Sequence, residues 1–485
     1  MAVFDTVIRG GTVATASDVF KADVGVTAGK IVALGEGLEA GHEEIDAGGL
    51  LVLPGGVDSH AHIQQLGHHR ALSADTFDTG TASALVGGTT TCVCFVRQGK
   101  GESLTGVFND YSVLAAKSRM DYAFHLMITD ARPEVIEQEL PPLIEAGARS
   151  IKIFLANPPR ISDGEALQVL AQARRLGAVV CVHCEHHEII EFYRNALVKA
   201  GLTAPKYHAW SRPILVEAEA VGRAIAMAEA LDVPIQIFHV TGKESLEVIE
   251  RAQARGLKVW AETCMQYLTL SAEDLDRPGF EGAKFICSPA LRGEHQYEAL
   301  WNGLRTGALS NVTSDHSPTN FCGCDGKMSE GEGAPFNVVH NGIPGIAARL
   351  PLLFSAGVNG GRIDLTTFVA ISATNSAKIF GLWPRKGTIA VGSDADVVLW
   401  DKDREVTLDN GVMQHGSDYT PYEGHTVKGW PVLTMLRGKV ACRDGVVESQ
   451  IGAGQYLPRE PYEMANPRGV FPTPFNPVDG VIQAP

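Results

Sequence analysis

DGEALQVLAQARRLGAVVCVH, residues 163–183, reads as one helix running directly into one strand. Ala166, Leu167, Val169, Leu170, Ala173 and Leu176 keep the 3.6-residue period of a one-sided helix, and Gly177 stands where a helix stop belongs. The same couplet returns at 217–240 (EAEAVGRAIAMAEALDV, then PIQIFHV) and at 243–263 (KESLEVIERAQARG, then LKVWAET). Outward from these, apolar β-branched runs fall near 52–58, 90–96, 122–128, 150–155, 179–183, 235–240, 257–263 and 310–315. Eight strands alternating with helices predict an α/β fold, a (β/α)8 barrel of the TIM type. An open doubly wound sheet is the competing arrangement, but no G-x-G-x-x-G follows a strand.

The ends of the chain read differently. FDTVIRGGTVATASD (4–18) and DVGVTAGKIVALGEG (23–37) alternate apolar and polar residues around glycine turns, and similar text returns at 386–403 and 432–449. The expectation is a small β-sandwich domain built from both termini around the barrel. The boundaries are 1–53 and 385–450 for its two parts, 54–384 for the barrel, and 451–485 for a Pro- and aromatic-rich arm or tail.

Length and composition exclude several classes. At 485 residues, 45% hydrophobic and 20% charged, the chain has the make-up of an ordinary soluble enzyme with a large core. Its net charge of −15 repels a phosphate backbone, and no basic stripe offsets it, so a nucleic-acid partner is not expected. No apolar run approaches 18 residues, so no membrane span is expected. Nine cysteines, including the C-x-C pairs Cys92/Cys94 and Cys322/Cys324, form neither a disulfide framework nor a zinc knuckle. With no secretory signal at the N-terminus, a reducing cytoplasm is the expected location.

In such a barrel the chemistry gathers at the C-terminal ends of the strands. Those ends here carry metal-capable side chains. His60 and His62 are two apart, so an extended strand points both imidazoles to one face; His183, His239 and Asp315 end three further strands. A lone strand-end histidine is more often a satisfied polar residue than a ligand. Five such residues on four strands are hard to explain by packing, which favours Val, Ile or Leu.

Lys152 stands inside the apolar run SIKIFLA, although lysine is seldom fully buried without a partner. One reading is a snorkelling stem. The other is an amine that has captured carbon dioxide, giving a carbamate able to bridge two cations. Two divalent ions bring about +4, and Asp315, a carbamate and a hydroxide return about −3, so a nearly neutral buried site needs the extra anion.

PGGVDSHAHI (54–63), SADTFDTGTASALVGGTTT (73–91), SIKIFLA (150–156), VHCEH (182–186), HAWSRP (208–213), IFHVTG (237–242), CSPALR (287–292), TSDHSP (313–318), HNGIPGI (340–346) and KGTIAVGSDADVVLWD (386–401) together resemble, in order, the cyclic amidohydrolases of the dihydropyrimidinase and D-hydantoinase group. The resemblance implies a two-metal centre, usually zinc, held by His60, His62, carboxylated Lys152 (N6-carboxylysine), His183, His239 and Asp315, with Asp58 supporting it. It implies metal-dependent ring opening of a cyclic ureide, a 5-substituted hydantoin or dihydropyrimidine, to an N-carbamoyl amino acid. Asp315 would move the proton from the attacking water to the departing nitrogen. Ser288 and Asn341 would bind the ring, although Ser-Pro and Asn-Gly are also plain turn signals. Relatives are commonly homotetramers, which makes 451–485 an arm onto a neighbouring subunit or a disordered tail.

Two features depart from the group. Where relatives continue the lysine strand to a tyrosine that donates to the substrate oxygen, this chain has Asn157, an amide of shorter reach. The loop after the first strand carries His68, His69 and Arg70 where an apolar pocket for the ring substituent is usual, which suits an anionic substituent as well as it suits a solvated loop. A dihydroorotase reading is weakened by Gln64, where that group has arginine, and a mononuclear deaminase does not require Lys152. An allantoinase, or another cyclic amide hydrolase, stays open, as does a non-enzymatic dihydropyrimidinase-related scaffold, although here every ligand position is filled.

Overall fold

Eight parallel strands follow one another around a barrel in the computed structural model, which describes residues 2–65, 73–158 and 160–482. Before them come β1 (Phe4–Ala14), β2 (Val19–Thr27), β3 (Lys30–Gly35), β4 (Gly41–Asp46) and β5 (Leu51–Pro54). The barrel strands are β6 (Gly56–Ala61), β7 (Thr89–Arg97), β8 (Asp121–Met127), β9 (Ser150–Phe154), β10 (Val179–His183), β11 (Ile235–Ile237), β12 (Val259–Cys264) and β13 (Asn311–Thr313). Each pairs in parallel with the next. The ring closes where Ala61 bridges His316 and the His62 N–H donates to the His316 carbonyl at 2.7 Å.

The helix expected from residue 163 spans Asp163–Leu176. Ser162 caps it reciprocally with Glu165, and Gly177 ends it at φ 66°, a left-handed conformation in which glycine is unstrained. Ala166, Val169, Leu170 and Ala173 are its buried face.

The first expected strand divides in two. Leu51–Pro54 does not enter the barrel: it pairs with β1 on one side and, antiparallel, with β14 (Val397–Thr407) on the other. The barrel strand starts only at Gly56. With β15 (Thr426–Leu436), β16 (Lys439–Arg443) and β17 (Val446–Val447), strands from both ends join one mixed nine-stranded sheet, ordered β17-β16-β15-β14-β5-β1-β2-β3 with β4 on β1. It has its own core around Val13, Val24, Ile31, Val52, Val397 and Met435.

Barrel and sheet are joined through buried charge. Lys386 Nζ, fully buried, lies 2.6 Å from Asp121 at the start of β8, 2.9 Å from Asp394 and 2.7 Å from Asp396. From Ile451 onward the chain lacks regular period yet is tied to its own barrel. Leu457 N–H donates to the Tyr122 carbonyl at 2.7 Å, Tyr122 N–H to the Gln455 carbonyl at 3.0 Å, and Arg459 N–H to the Gly147 carbonyl at 3.2 Å. These partners lead into or begin β8 and β9, so the segment crosses the barrel at its N-terminal end. No helix among the described residues is long and apolar enough to cross a membrane.

Candidate metal centre

Strand pleating and strand ends bring His60, His62, Lys152, His183, His239 and Asp315 into one cleft at the C-terminal mouth of the barrel. Asp315 Oδ1 lies 3.0 Å from His60 Nε2 and 3.3 Å from His62 Nε2. Across from them, His183 Nδ1 and His239 Nε2 are 2.9 Å apart. Asp315 (φ 45°) and His239 (φ 43°) both take the left-handed conformation, in which a side chain longer than glycine's is held at a cost.

Three of the four histidines, His60, His62 and His183, are turned by a polar neighbour on the far side of the ring. Glu262 Oε1 accepts from His60 Nδ1 at 2.5 Å, Gln65 Oε1 from His62 Nδ1 at 2.9 Å, and Glu185 Oε2 from His183 Nε2 at 2.8 Å. A carboxylate or amide oxygen only accepts, so the ring proton sits on the outer nitrogen in all three. In the neutral ring the inner nitrogen then offers its lone pair to the cleft. Burial lowers the pKa of His183, His239 and His62, favouring the neutral form that binds a cation. For His60 the Asp315 and Glu262 carboxylates outweigh burial and lift it to about 9, while His60 and His62 hold Asp315 well below the usual carboxylate range.

Lys152 is the anomaly. It is fully buried, and its Nζ has no hydrogen-bond partner among the described residues. It lies instead 4.0 Å from the ring centre of Phe238 and 4.8 Å from that of Phe154. Burial pushes its pKa down to about 8, enlarging the share of free amine, the nucleophilic form. An orphaned buried nitrogen between two sets of inward lone pairs fits a site made for cations and a bridging anion. A second grouping, His60 with Glu262 and Cys264, lies on the outer edge of the His60 ring, where the hydrogen bond to Glu262 is already made.

The remaining predicted residues divide. Ser288 and Asn341 line the cleft together, the serine hydroxyl donating to Asn341 Oδ1 at 2.6 Å. Asn157 also lines it, at φ 60°, and its Oδ1 accepts from Arg212 at 2.7 Å. That arginine also donates to Glu185 at 2.6 Å, so Asn157 shares a cation with the support of His183. Asp58 is buried behind the site: its Oδ1 accepts from the N–H of His60 and of Ser314, tying β6 to the residue preceding Asp315, and Arg349 stands 3.7 Å from Oδ2. His68, His69 and Arg70 lie outside the described residues.

Sequence reasoning missed Glu262, Gln65, Glu185 and Arg212. Glu262, a carboxylate within the buried strand WAET, and Glu185, two residues after His183, carried the same buried-charge signal that singled out Lys152.

The family model for "Amidohydrolase family" matches residues 51–441. The chain is 44% identical to a D-hydantoinase of Ralstonia pickettii over 95% of its own length and all of the relative. To a D-hydantoinase of Geobacillus stearothermophilus it is 41% identical, over 94% of this chain and 96% of the other. The crystal structure of a dihydropyrimidinase from Brevibacillus agri NCHU1002 superposes with a TM-score of 0.91 at 40% identity, covering 94% of this chain and 99% of that one.

Proposed function

Since the chain belongs to the amidohydrolase family, we propose that it is a cyclic amidohydrolase that opens a cyclic ureide, a 5-substituted hydantoin or a dihydropyrimidine, to an N-carbamoyl amino acid. The observation that carries this reading is the buried Lys152 Nζ, without a hydrogen-bond partner among the described residues, between two sets of inward-facing histidine nitrogens. His60, His62 and Asp315 would hold one divalent ion and His183 and His239 the second, with the Lys152 carbamate shared between them. Bound ions supply the acidity that makes water nucleophilic near neutral pH and the positive charge that polarises a ring carbonyl. Zinc suits this nitrogen and oxygen donor set.

The chain's own groups supply the rest. Asp315 accepts the proton of the attacking water at a carboxylate oxygen and passes it to the ring nitrogen as the C–N bond breaks, so the new carboxylate and the freed N–H balance. Ser288 and Asn341 present hydrogen-bonding groups on one wall and fix the ring's orientation. Asn157, its oxygen committed to Arg212, offers only its N–H groups, a shorter replacement for a phenolic donor. A homotetramer in the cytoplasm completes the reading; nine free thiols, seven of them buried, suit a reducing compartment.

Dihydrouracil, allantoin and 5-alkyl, 5-aryl and 5-carboxyalkyl hydantoins, assayed with and without chelator and with chiral analysis of products, test this. Chelator-sensitive formation of a carbamoyl amino acid is expected. Hydrolysis of none of them, with metal and bicarbonate supplied, contradicts it.

A further inference from the structure

Beneath the histidines the barrel interior is polar where layers of Val, Ile and Leu are usual. His125 of β8 is fully buried, edge-on to Phe380 and stacked on Phe95. Its Nε2 lies 2.9 Å from the backbone carbonyl of Ser59. A carbonyl only accepts, so Nε2 carries the proton and Nδ1 of the neutral ring is an acceptor. Ser150 Oγ, 2.7 Å from Nδ1, must therefore donate to it; the Cys181 thiol is the other group near that nitrogen, at 3.9 Å. With its proton spent, the serine oxygen receives Arg459 Nη1 at 2.8 Å. Every link has one permitted direction: Arg459 to Ser150, Ser150 to His125, His125 to Ser59.

At one end this chain reaches the strands that carry the candidate ligands. Ser59 precedes His60, and Ser150 is two residues before Lys152 on β9, hence on the same face of that strand. The other end belongs to neither barrel strand nor helix. Arg459 lies in the segment that follows the terminal sheet, is 2% exposed, and also donates to the carbonyls of Gly147 at 3.0 Å and Phe124 at 2.5 Å. Its own carbonyl is held by Arg149 Nε at 2.9 Å. The backbone passes so near that a Cβ on Gly147 would stand 2.7 Å from Arg459 N.

We propose that Arg459 is a positioning residue for the metal centre: the C-terminal segment closes the base of the barrel and, through Ser150 and His125, sets the strands that carry Lys152 and His60. This rests on the two-metal reading above. Without the guanidinium, Ser150 Oγ and the carbonyls of Gly147 and Phe124 lose a buried donor, and the strands they belong to are free to shift beneath the site.

The test compares the full chain with Arg459→Met, Arg459→Lys, Ser150→Ala and the Arg459→Met/Ser150→Ala double variant. Zinc affinity is measured by chelator competition, and the carbamate by 13C NMR after exposure to 13C-bicarbonate. Arg459→Met is expected to lose about 10-fold in zinc affinity with a weakened carbamate signal, the low end of what removing a group bonded directly to a metal ligand costs. Arg459→Lys restores part of it. Ser150→Ala, which removes one oxygen and decides the matter if Arg459→Met does not fold, is expected to lose several-fold, and the double variant to lose less than the sum. Zinc affinity and carbamate at the parent level in Ser150→Ala, or in an Arg459→Met variant that only melts earlier, overturn the proposal. A parent protein that takes up neither zinc nor carbamate sinks the two-metal reading itself, a different outcome.

Discussion

His183 Nδ1 faces His239 Nε2 across 2.9 Å, while the opposite edge of the His183 ring is held by Glu185 at 2.8 Å. The carboxylate thereby decides which nitrogen of His183 enters the cleft. Glu185 is in turn kept ionised against burial by Arg212 and His183, which hold its pKa far below the carboxylate range.

Glu185→Gln keeps the side-chain shape but removes the negative charge on Oε2, the one oxygen to which both His183 and Arg212 donate. Zinc affinity is expected to fall about 10- to 100-fold with the fold retained. Chelator competition reads it, and an unchanged affinity contradicts the role given to Glu185.

Asn157→Asp preserves the contact with Arg212 and removes the two amide protons. If those protons serve the substrate, kcat/KM falls by about tenfold or more, the cost of one lost hydrogen bond to a developing charge. Steady-state kinetics on whichever hydantoin is turned over check this. An unchanged kcat/KM would leave Asn157 a loop residue chosen for its tolerance of φ 60°.

Lys386→Met removes the cation shared by Asp121, Asp394 and Asp396 where barrel meets sheet; Arg437 stays on Asp121 and Lys30 and Arg385 on Asp394, so Asp396 is the buried carboxylate left uncompensated. Removing one partner of a buried ion pair costs about 3–5 kcal/mol. Urea denaturation of parent and variant measures it, and a loss below about 1 kcal/mol contradicts the joint's importance.

Lys327 is 1% exposed and donates to the carbonyls of Ile286 at 3.0 Å and His340 at 2.7 Å, beside Ser288 and Asn341. Burial pushes its pKa down to about 7 from the ordinary 10.5. Between those values the unfolded chain binds a proton that the native one lacks, so this residue's contribution to stability rises with pH across that window. The stability gap between parent and Lys327→Met is therefore expected to widen in the parent's favour from pH 7 to 10. Urea midpoints at several pH values check it, and a pH-independent gap contradicts it.

The barrel was legible because its signals are local. A 3.6-residue period with its cap and stop gives Asp163–Leu176, and apolar runs give all eight strands. Leu51–Pro54 misled because LLVLP reads equally well as a strand of either sheet, and only its pairing with Val397–Trp400, far along the chain, decides between them. The residues that meet in the cleft were legible because a histidine or a lysine at the end of an apolar strand is unusual in itself. What their supports would pair with was not, even where a buried carboxylate such as Glu262 stood out: Glu262 meets His60 from 202 residues away, and Arg459 meets Ser150 from 309. The segment from residue 451 has no period to read, since backbone pairing with the residues at Tyr122 and Gly147 and the inserted Arg459 side chain order it.

Lys152 Nζ, buried among aromatic rings with no hydrogen bond to any described residue, carries the two-metal reading. A crystal structure of the protein grown with zinc and bicarbonate is the most direct measurement. The account predicts density for a carboxylate continuing from Nζ and contacting two ions, one beside His60, His62 and Asp315 and one beside His183 and His239. Density that ends at a bare amine, with one ion or none, would contradict it.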